Sequence, residues 1–333
     1  MIRLKAEWER QNAVILAFPH EDTDWADDLD KNRAPFFKMA QAIGYSQLVY
    51  LLVKDVEDAK RYFCSTNNIV FIKSDFNDTW VRDYLALSCE QNSEPLLLDF
   101  IFNGWGGKFE SSLDNSVTKE LHKKGFLGRG KFESIDIELE GGAIDSNGVG
   151  DLLTTKSCIL NPNRNSGGLS QKEAEEIFAN YFGTKRVHWI ENSYLEGDDT
   201  DGHIDMLARF VNQDTICYIK CEDPSDSHYK VMLELERELK SLKREFGKAF
   251  NLVPLPFTEP KFDQGGNRLP SSYANFLITN KAIIYPTYQD KRDKEVRVIF
   301  AKLFKDREII GMPSLSLIEQ GGSVHCSSMQ VSF

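Results

Sequence analysis

The feature that most constrains this chain is a loose internal repeat. Segments 80–100, 141–160, 203–220, 273–288 and 321–333 each read as a strand, a polar turn and a second strand, the last one stopping early. Their turns carry NS, NG, NQD and NK, residues that tolerate turn conformations. Successive copies start about 50–70 residues apart. Helix-like stretches lie between them. Segment 170–182 opens on Ser170 with Glu173 three residues on, a capping-box pattern. Segment 230–246 places Val231, Leu235, Leu239, Leu242 and Phe246 on one helical face. Segments 33–43, 56–63 and 295–304 read as helices too, and AVILAF, QLVYLLVK and NIVFIK as strands of a first unit. Hairpins alternating with helices predict an α/β repeat fold of about five units. Units that cannot bury an apolar face alone must stack, and a closed ring of them leaves a central channel. A doubly wound parallel sheet is the competing architecture. The short-looped hairpins argue against it, because adjacent short-looped strands are antiparallel.

No Pro- or Ser-rich linker divides the 333 residues, so one catalytic domain over 1–333 is expected. No apolar run approaches the ~18–20 residues of a membrane span, and the first twenty residues lack a secretory pattern. A cytoplasmic enzyme is the expectation. A net charge of −11 argues against nucleic acid as a partner and suits a small cationic substrate. The six cysteines form no CxxC pair and no disulfide framework. Cys64, Cys89, Cys158, Cys217 and Cys221 read as core residues.

Cys326 differs. It ends GGSVHC, where two glycines let backbone approach a ligand closely. His325 precedes it, but neighbours on a strand point to opposite faces. His203 is therefore the better partner despite its distance in sequence. His203 and Asp205, in GDDTDGHIDMLARF, would share one strand face. The bland alternative for Asp198, Asp199 and Asp201 is a solvated acidic loop. A calcium loop lacks the bidentate Glu at position twelve. Polar residues without an evident surface role start the other repeats: Asp83 in NDTWVRDY and Glu140 in ELEGGAID. In a ring these positions converge.

That set suits a guanidinium. The group is planar, permanently charged, and donates paired N–H bonds that carboxylates accept. Asp83 and Asp205 could hold its two sides. Its carbon is a poor electrophile and calls for a thiolate. A histidine must protonate departing ammonia and then activate water. A glutamate nearby, Glu140, would favour its protonated form.

With FPHEDTDW, NDTWVRDY, FNGWGGKF, LEGG, NPNRN, GDDTDGHIDMLARF, YANF, IIYPTY and GGSVHCSSMQ, nearly the whole chain resembles the agmatine deiminases of the guanidino-group-modifying superfamily, close to the bacterial peptidyl-arginine deiminases. The resemblance implies a five-bladed α/β propeller (pentein) of pseudo-fivefold ββαβ repeats around a central channel. It implies hydrolysis of agmatine to N-carbamoylputrescine and ammonia through an amidino-cysteine, a step toward putrescine, with no metal and no organic cofactor. By motif, Cys326 corresponds to the nucleophile, His203 to the general acid/base, Glu140 to its supporting acid, and Asp83 and Asp205 to the guanidinium-binding aspartates. The family often has Gly where Leu85 stands. Trp25, Asp22, Asp24 and Trp105 are candidates for the substrate's ammonium end. A deiminase of peptidyl or free arginine would use the same residues, and a homo-oligomer is compatible with the sequence.

Overall fold

The computed structural model describes residues 2–333. Among them the strands form five small sheets that share one pattern. Two strands pair antiparallel, a helix follows, and a third strand returns parallel to the second. In the first such unit Leu87–Gln91 pairs with Glu94–Ile101, the helix is Asp114–Lys123, and Lys131–Glu138 returns. The next three follow the same order. They are Ile144–Ser146, Asp151–Thr155, Gln171–Phe182 and Arg186–Ile190; then Ala208–Asn212, Thr215–Lys220, Tyr229–Ser241 and Asn251–Pro256; then Leu277–Ile278, Ala282–Thr287, Asp293–Leu303 and Glu308–Pro313. The physics is the same each time. An antiparallel pair needs only a tight turn, and Asn92 and Ser93 supply positive φ for one of them. A parallel return needs a longer crossover, which the helix provides.

The fifth unit resolves why segment 321–333 ends early. Only Met329–Val331 is a strand there, and its antiparallel partner is Ala13–Ala17. The helix Leu29–Gly44 and the parallel strand Leu48–Val53 complete this unit. Two strands extend the edges: Ile2–Leu4 beside Leu87–Gln91, and Ile69–Lys73 beside Leu48–Val53. Ala13–Ala17 is buried throughout, as a run covered on both faces must be.

Several local expectations change. The helix expected over 230–246 stops at Ser241. Leu242 turns extended, Lys243 bridges to Ala249, and Phe246 sits in the reversal at φ 59°, 87% exposed. It therefore belongs to no core face. Segment 170–182 does begin with a complete capping box, worth about 1 kcal/mol. In 141–160 the second strand ends at Thr155, and Cys158 lies on a helical turn, Lys156–Ile159. All six cysteines are free, and Cys64 is exposed in the bend after the Val56–Lys60 helix rather than in the core. No helix among the described residues is long and apolar enough to cross a membrane.

Candidate active site

Each unit is preceded by a short helical or irregular turn, and these turns carry the polar residues singled out above. Asp83 is on the turn Val81–Tyr84, and Glu140 immediately precedes Gly141–Ala143. His203 caps the 3-10 turn Ile204–Met206, which contains Asp205. The strand expected from His203 onward starts only at Ala208, so His203 and Asp205 are not related by strand alternation. Cys326 and His325 likewise lie in a turn before Met329–Val331. Leu85 is extended at φ −93°, ψ 154°, a conformation open to any residue, so it imposes no strain beside Asp83.

The turns meet around Gly142. A Cβ there would lie 2.6 Å from His203 Nδ1, 2.8 Å from Asp83 Oδ1 and 3.1 Å from Asp205 Oδ2. The Gly142 N–H donates to Asp83 Oδ1 at 2.9 Å, and the Trp105 indole donates to Asp83 Oδ2 at 3.0 Å. His203 Nδ1 lies 3.6 Å from Asp83 Oδ1. Both His203 nitrogens and Asp205 Oδ1 are buried without a protein hydrogen-bond partner among the described residues. Buried polar atoms left open in this way are a place for substrate groups. Cys326 Sγ is 3.6 Å from Asp205 Oδ2.

The electrostatics follow from burial. Burial pushes the His203 imidazole down to about 3, with the charge of Asp205 opposing. Burial, then the charge of Asp205, holds Asp83 well above the usual carboxylate range. Burial and the same two aspartates push the Cys326 thiol up. Asp205 is the exception: burial acts to raise it, but the His325 hydrogen bond and charge outweigh that and keep it low. Glu140 brings a carboxylate oxygen within 4.8 Å of a His203 nitrogen, and it is itself held by an arginine. Arg164 Nε donates to both its oxygens, at 2.8 and 3.0 Å, so its charge is already paired.

Behind these residues lies a layer that sequence reasoning missed. His325 places its ring nitrogens 2.7 Å from Asp205 Oδ2 and 2.7 Å from Glu7 Oε2. Glu7 also accepts from Arg209 at 2.9 Å and from the Ile278 N–H at 2.6 Å. Arg164 links Glu140 to Asp201, which also accepts from Lys108 and Asn163. Asp198 ties down the N–H groups of Thr200 and Gly202. Asp198 and Asp201 thus build the loop before His203 rather than float in solvent. The signal for Arg164 was the NPNRN turn; for Glu7 nothing local marked it.

A cavity of about 320 Å³ leads to Asp83 and Cys326. Trp105 lines it, held at φ 54° in a run of left-handed residues that Gly104, Gly106 and Gly107 make accessible. Asp24 lines it as well. Trp25 and Asp22, both candidates for the substrate's ammonium end, do not. Trp25 is fully buried, donates to Asp78 at 2.8 Å and packs on Trp80, which does line the cavity. Asp22 is exposed beside Lys54 at 3.6 Å. Glu140, Cys158 and His203 also bring one ligand atom each within 4.8 Å of one another. Such a donor set could hold a soft divalent ion, but the Arg164 guanidinium already occupies the Glu140 carboxylate and opposes a second cation.

Comparison with known proteins adds a family. A Legionella pneumophila (strain Paris) protein named as a candidate agmatine deiminase is 33% identical over 332 residues, 98% of this chain and 94% of that one. A solved cysteine-to-serine variant of C. jejuni agmatine deiminase, with substrate bound, is 37% identical. It covers 99% of this chain and 96% of its own, with a TM-score of 0.93. A solved Porphyromonas gingivalis protein named as a candidate arginine deiminase is 41% identical, covering 99% and 98% of the two chains, with a TM-score of 0.94. Residues 3–332 match the family as a whole, so this chain belongs to the Porphyromonas-type peptidyl-arginine deiminase family.

Proposed function

We propose that this protein is an agmatine deiminase, hydrolysing agmatine to N-carbamoylputrescine and ammonia, and that its five units form one catalytic α/β propeller around a central channel. The observation that carries the substrate choice is the charge of the cavity. Six carboxylates line it, those of Asp24, Asp78, Asp83, Asp199, Asp263 and Glu319, against one guanidinium, Arg268. That guanidinium is held by both oxygens of Asp226, at 2.8 and 2.7 Å. Among the described residues of the lining nothing basic is left to clamp the α-carboxylate of arginine, while an alkylammonium is welcome. The cysteine-to-serine C. jejuni relative with bound substrate supports a thiol nucleophile.

In the proposed mechanism Asp83 and Asp205 take the guanidinium, whose charge offsets their mutual repulsion. The thiol proton passes to His203, and Cys326 Sγ bonds to the guanidinium carbon while a C=N pair moves to nitrogen. His203 returns the proton to that nitrogen, the C–N bond breaks, and ammonia leaves an amidino-thioether. Water then adds to the carbon, giving a proton to His203. The C–S bond breaks, the carbonyl forms, and the remaining protons restore the thiol and convert ammonia to ammonium. The central test is ammonia release from agmatine and from free arginine. Agmatine is expected to exceed arginine in kcat/KM by at least about tenfold, and Cys326→Ala to be inactive. Equal turnover of arginine would overturn the substrate; an active Cys326→Ala would overturn the chemistry. The P. gingivalis likeness favours a second reading, a deiminase of free or peptidyl arginine, which free arginine and a C-terminal arginine peptide in the same assay address.

A further inference from the structure

One buried histidine makes more contacts with carboxylates than a neutral ring can satisfy. His325, on the turn that carries Cys326, places Nδ1 2.7 Å from Asp205 Oδ2 and Nε2 2.7 Å from Glu7 Oε2. A neutral imidazole has one N–H, so it can donate to only one of the two. Glu7 has no proton to give back. Its Oε2 also accepts from Arg209 Nη2 at 2.9 Å and lies 3.6 Å from Arg82 Nη2, while its Oε1 accepts the Ile278 N–H at 2.6 Å. Burial acts to raise the Glu7 carboxyl, but Arg209 and His325 outweigh it and hold it well below the usual carboxylate range. Charge balance points the same way. The groups around the ring are Glu7, Asp145 and Asp205 against Arg82 and Arg209. A doubly protonated His325 makes the two signs equal. A neutral one leaves a buried negative charge without a partner, which is strongly unfavourable.

We propose that Glu7 and His325 are positioning residues: Glu7 keeps a proton on both ring nitrogens of His325, and the resulting imidazolium fixes Asp205 as an ionised acceptor before substrate arrives. The two aspartates that face the guanidinium then differ in kind. Asp83 accepts from neutral donors, the Gly142 N–H and the Trp105 indole. Asp205 spends Oδ2 on the charged ring and keeps Oδ1, buried and without a protein partner among the described residues, for a substrate N–H. One aspartate is charged in advance, and the substrate's own charge completes the other. Cys326 is the next residue after His325, so the same contact helps set the 3.6 Å between its Sγ and Asp205 Oδ2. Glu7 thereby brings the N-terminal segment into the site. Its backbone is tied there as well, since Gln11 Nε2 donates to Glu7 O at 2.6 Å and to Ile278 O at 2.7 Å.

The inference rests on Asp205 holding the guanidinium, and its test keeps the two apart. Protein with nitrogen-labelled histidine is examined by NMR at about pH 7 without substrate, and His325→Gln assigns the signal among the six histidines. Two protonated ring nitrogens are expected for His325. One bare nitrogen would place the shared proton on a carboxylate and overturn the proposal. Glu7→Gln keeps an acceptor for the Ile278 N–H and removes the charge. One His325 nitrogen should then lose its proton, and KM for agmatine should rise about tenfold or more with a smaller fall in kcat. Glu7→Asp should restore the doubly protonated signal and most of the KM. A Glu7→Gln variant that circular dichroism shows to be folded, with wild-type KM, would overturn the positioning role. The wild-type spectrum decides alone if neither variant folds. Should agmatine bind Asp205→Asn as it binds the wild type, the guanidinium reading fails, whereas the wild-type His325 spectrum bears on the present inference alone.

Discussion

At the scale of single residues, the site is a set of carboxylates that cannot all be comfortable without a cation. Asp83 is the most constrained, since its two oxygens accept from a backbone N–H and an indole N–H. Trp105→Phe keeps the ring and removes only that donor. A hydrogen bond to a charged group is worth about 1.5–3 kcal/mol, so kcat/KM for agmatine should drop about 10- to 100-fold with little change in melting temperature. An unchanged kcat/KM would mean that the indole serves only to line the cavity. His325 was set aside on strand geometry that does not apply to its turn. Its ring faces Asp205 and Glu7 instead, so its service to the thiol is indirect.

At the scale of elements, the short turns matter more than the strands they introduce. Gly142 is the clearest case, because its missing side chain is the space in which Asp83, His203 and Asp205 meet. Gly142→Ala should leave the strands Ile144–Ser146 and Asp151–Thr155 in place yet lower kcat at least about a hundredfold. Stopped-assay kinetics alongside a thermal melt would check this, and near-normal kcat would show that the three side chains yield. The hairpins and their alternation with helices were legible because short apolar runs, buried nearly throughout, and the turn residues between them act locally. The turns were not. Four residues with one hydrogen bond leave no periodicity, and so His203 and Asp205 looked like the start of a strand. Partners contributed from distant units, such as Arg164 to Glu140 or Glu7 to His325, are fixed only by packing. Trp25 belonged to the right segment, but its indole turned inward to Asp78.

At the scale of the whole molecule, buried acids set opposite pH limits. Asp114 is pushed up to about 8 and Asp78 to about 6, in both cases by burial first. Each is protonated in the fold where the unfolded chain is ionised. The stability they contribute is complete below about pH 4 and is lost as the pH rises through 6 and 8. Asp226 runs the other way. Burial acts to raise it, but Arg268 and hydrogen bonds hold it at about 2, so its share is present above about pH 4 and lost as the pH falls through 2. Asp114→Asn keeps the acceptor for the Asn77 and Asp78 N–H groups and removes one titration. The fall in melting temperature between about pH 5 and pH 8.5 should shrink in this variant; an equal fall in both proteins would clear Asp114 of responsibility. Finally, the pairing of Met329–Val331 with Ala13–Ala17 bears on how the protein is made. A ribosome emits Ala13–Ala17 early, and the strand that covers one edge of it only some three hundred residues later. While the intervening residues are made, that apolar edge must wait, shielded by Leu48–Val53 on one side alone. The turn that carries Cys326, the proposed nucleophile, arrives with the same strand, so it joins Asp205 only as that sheet closes.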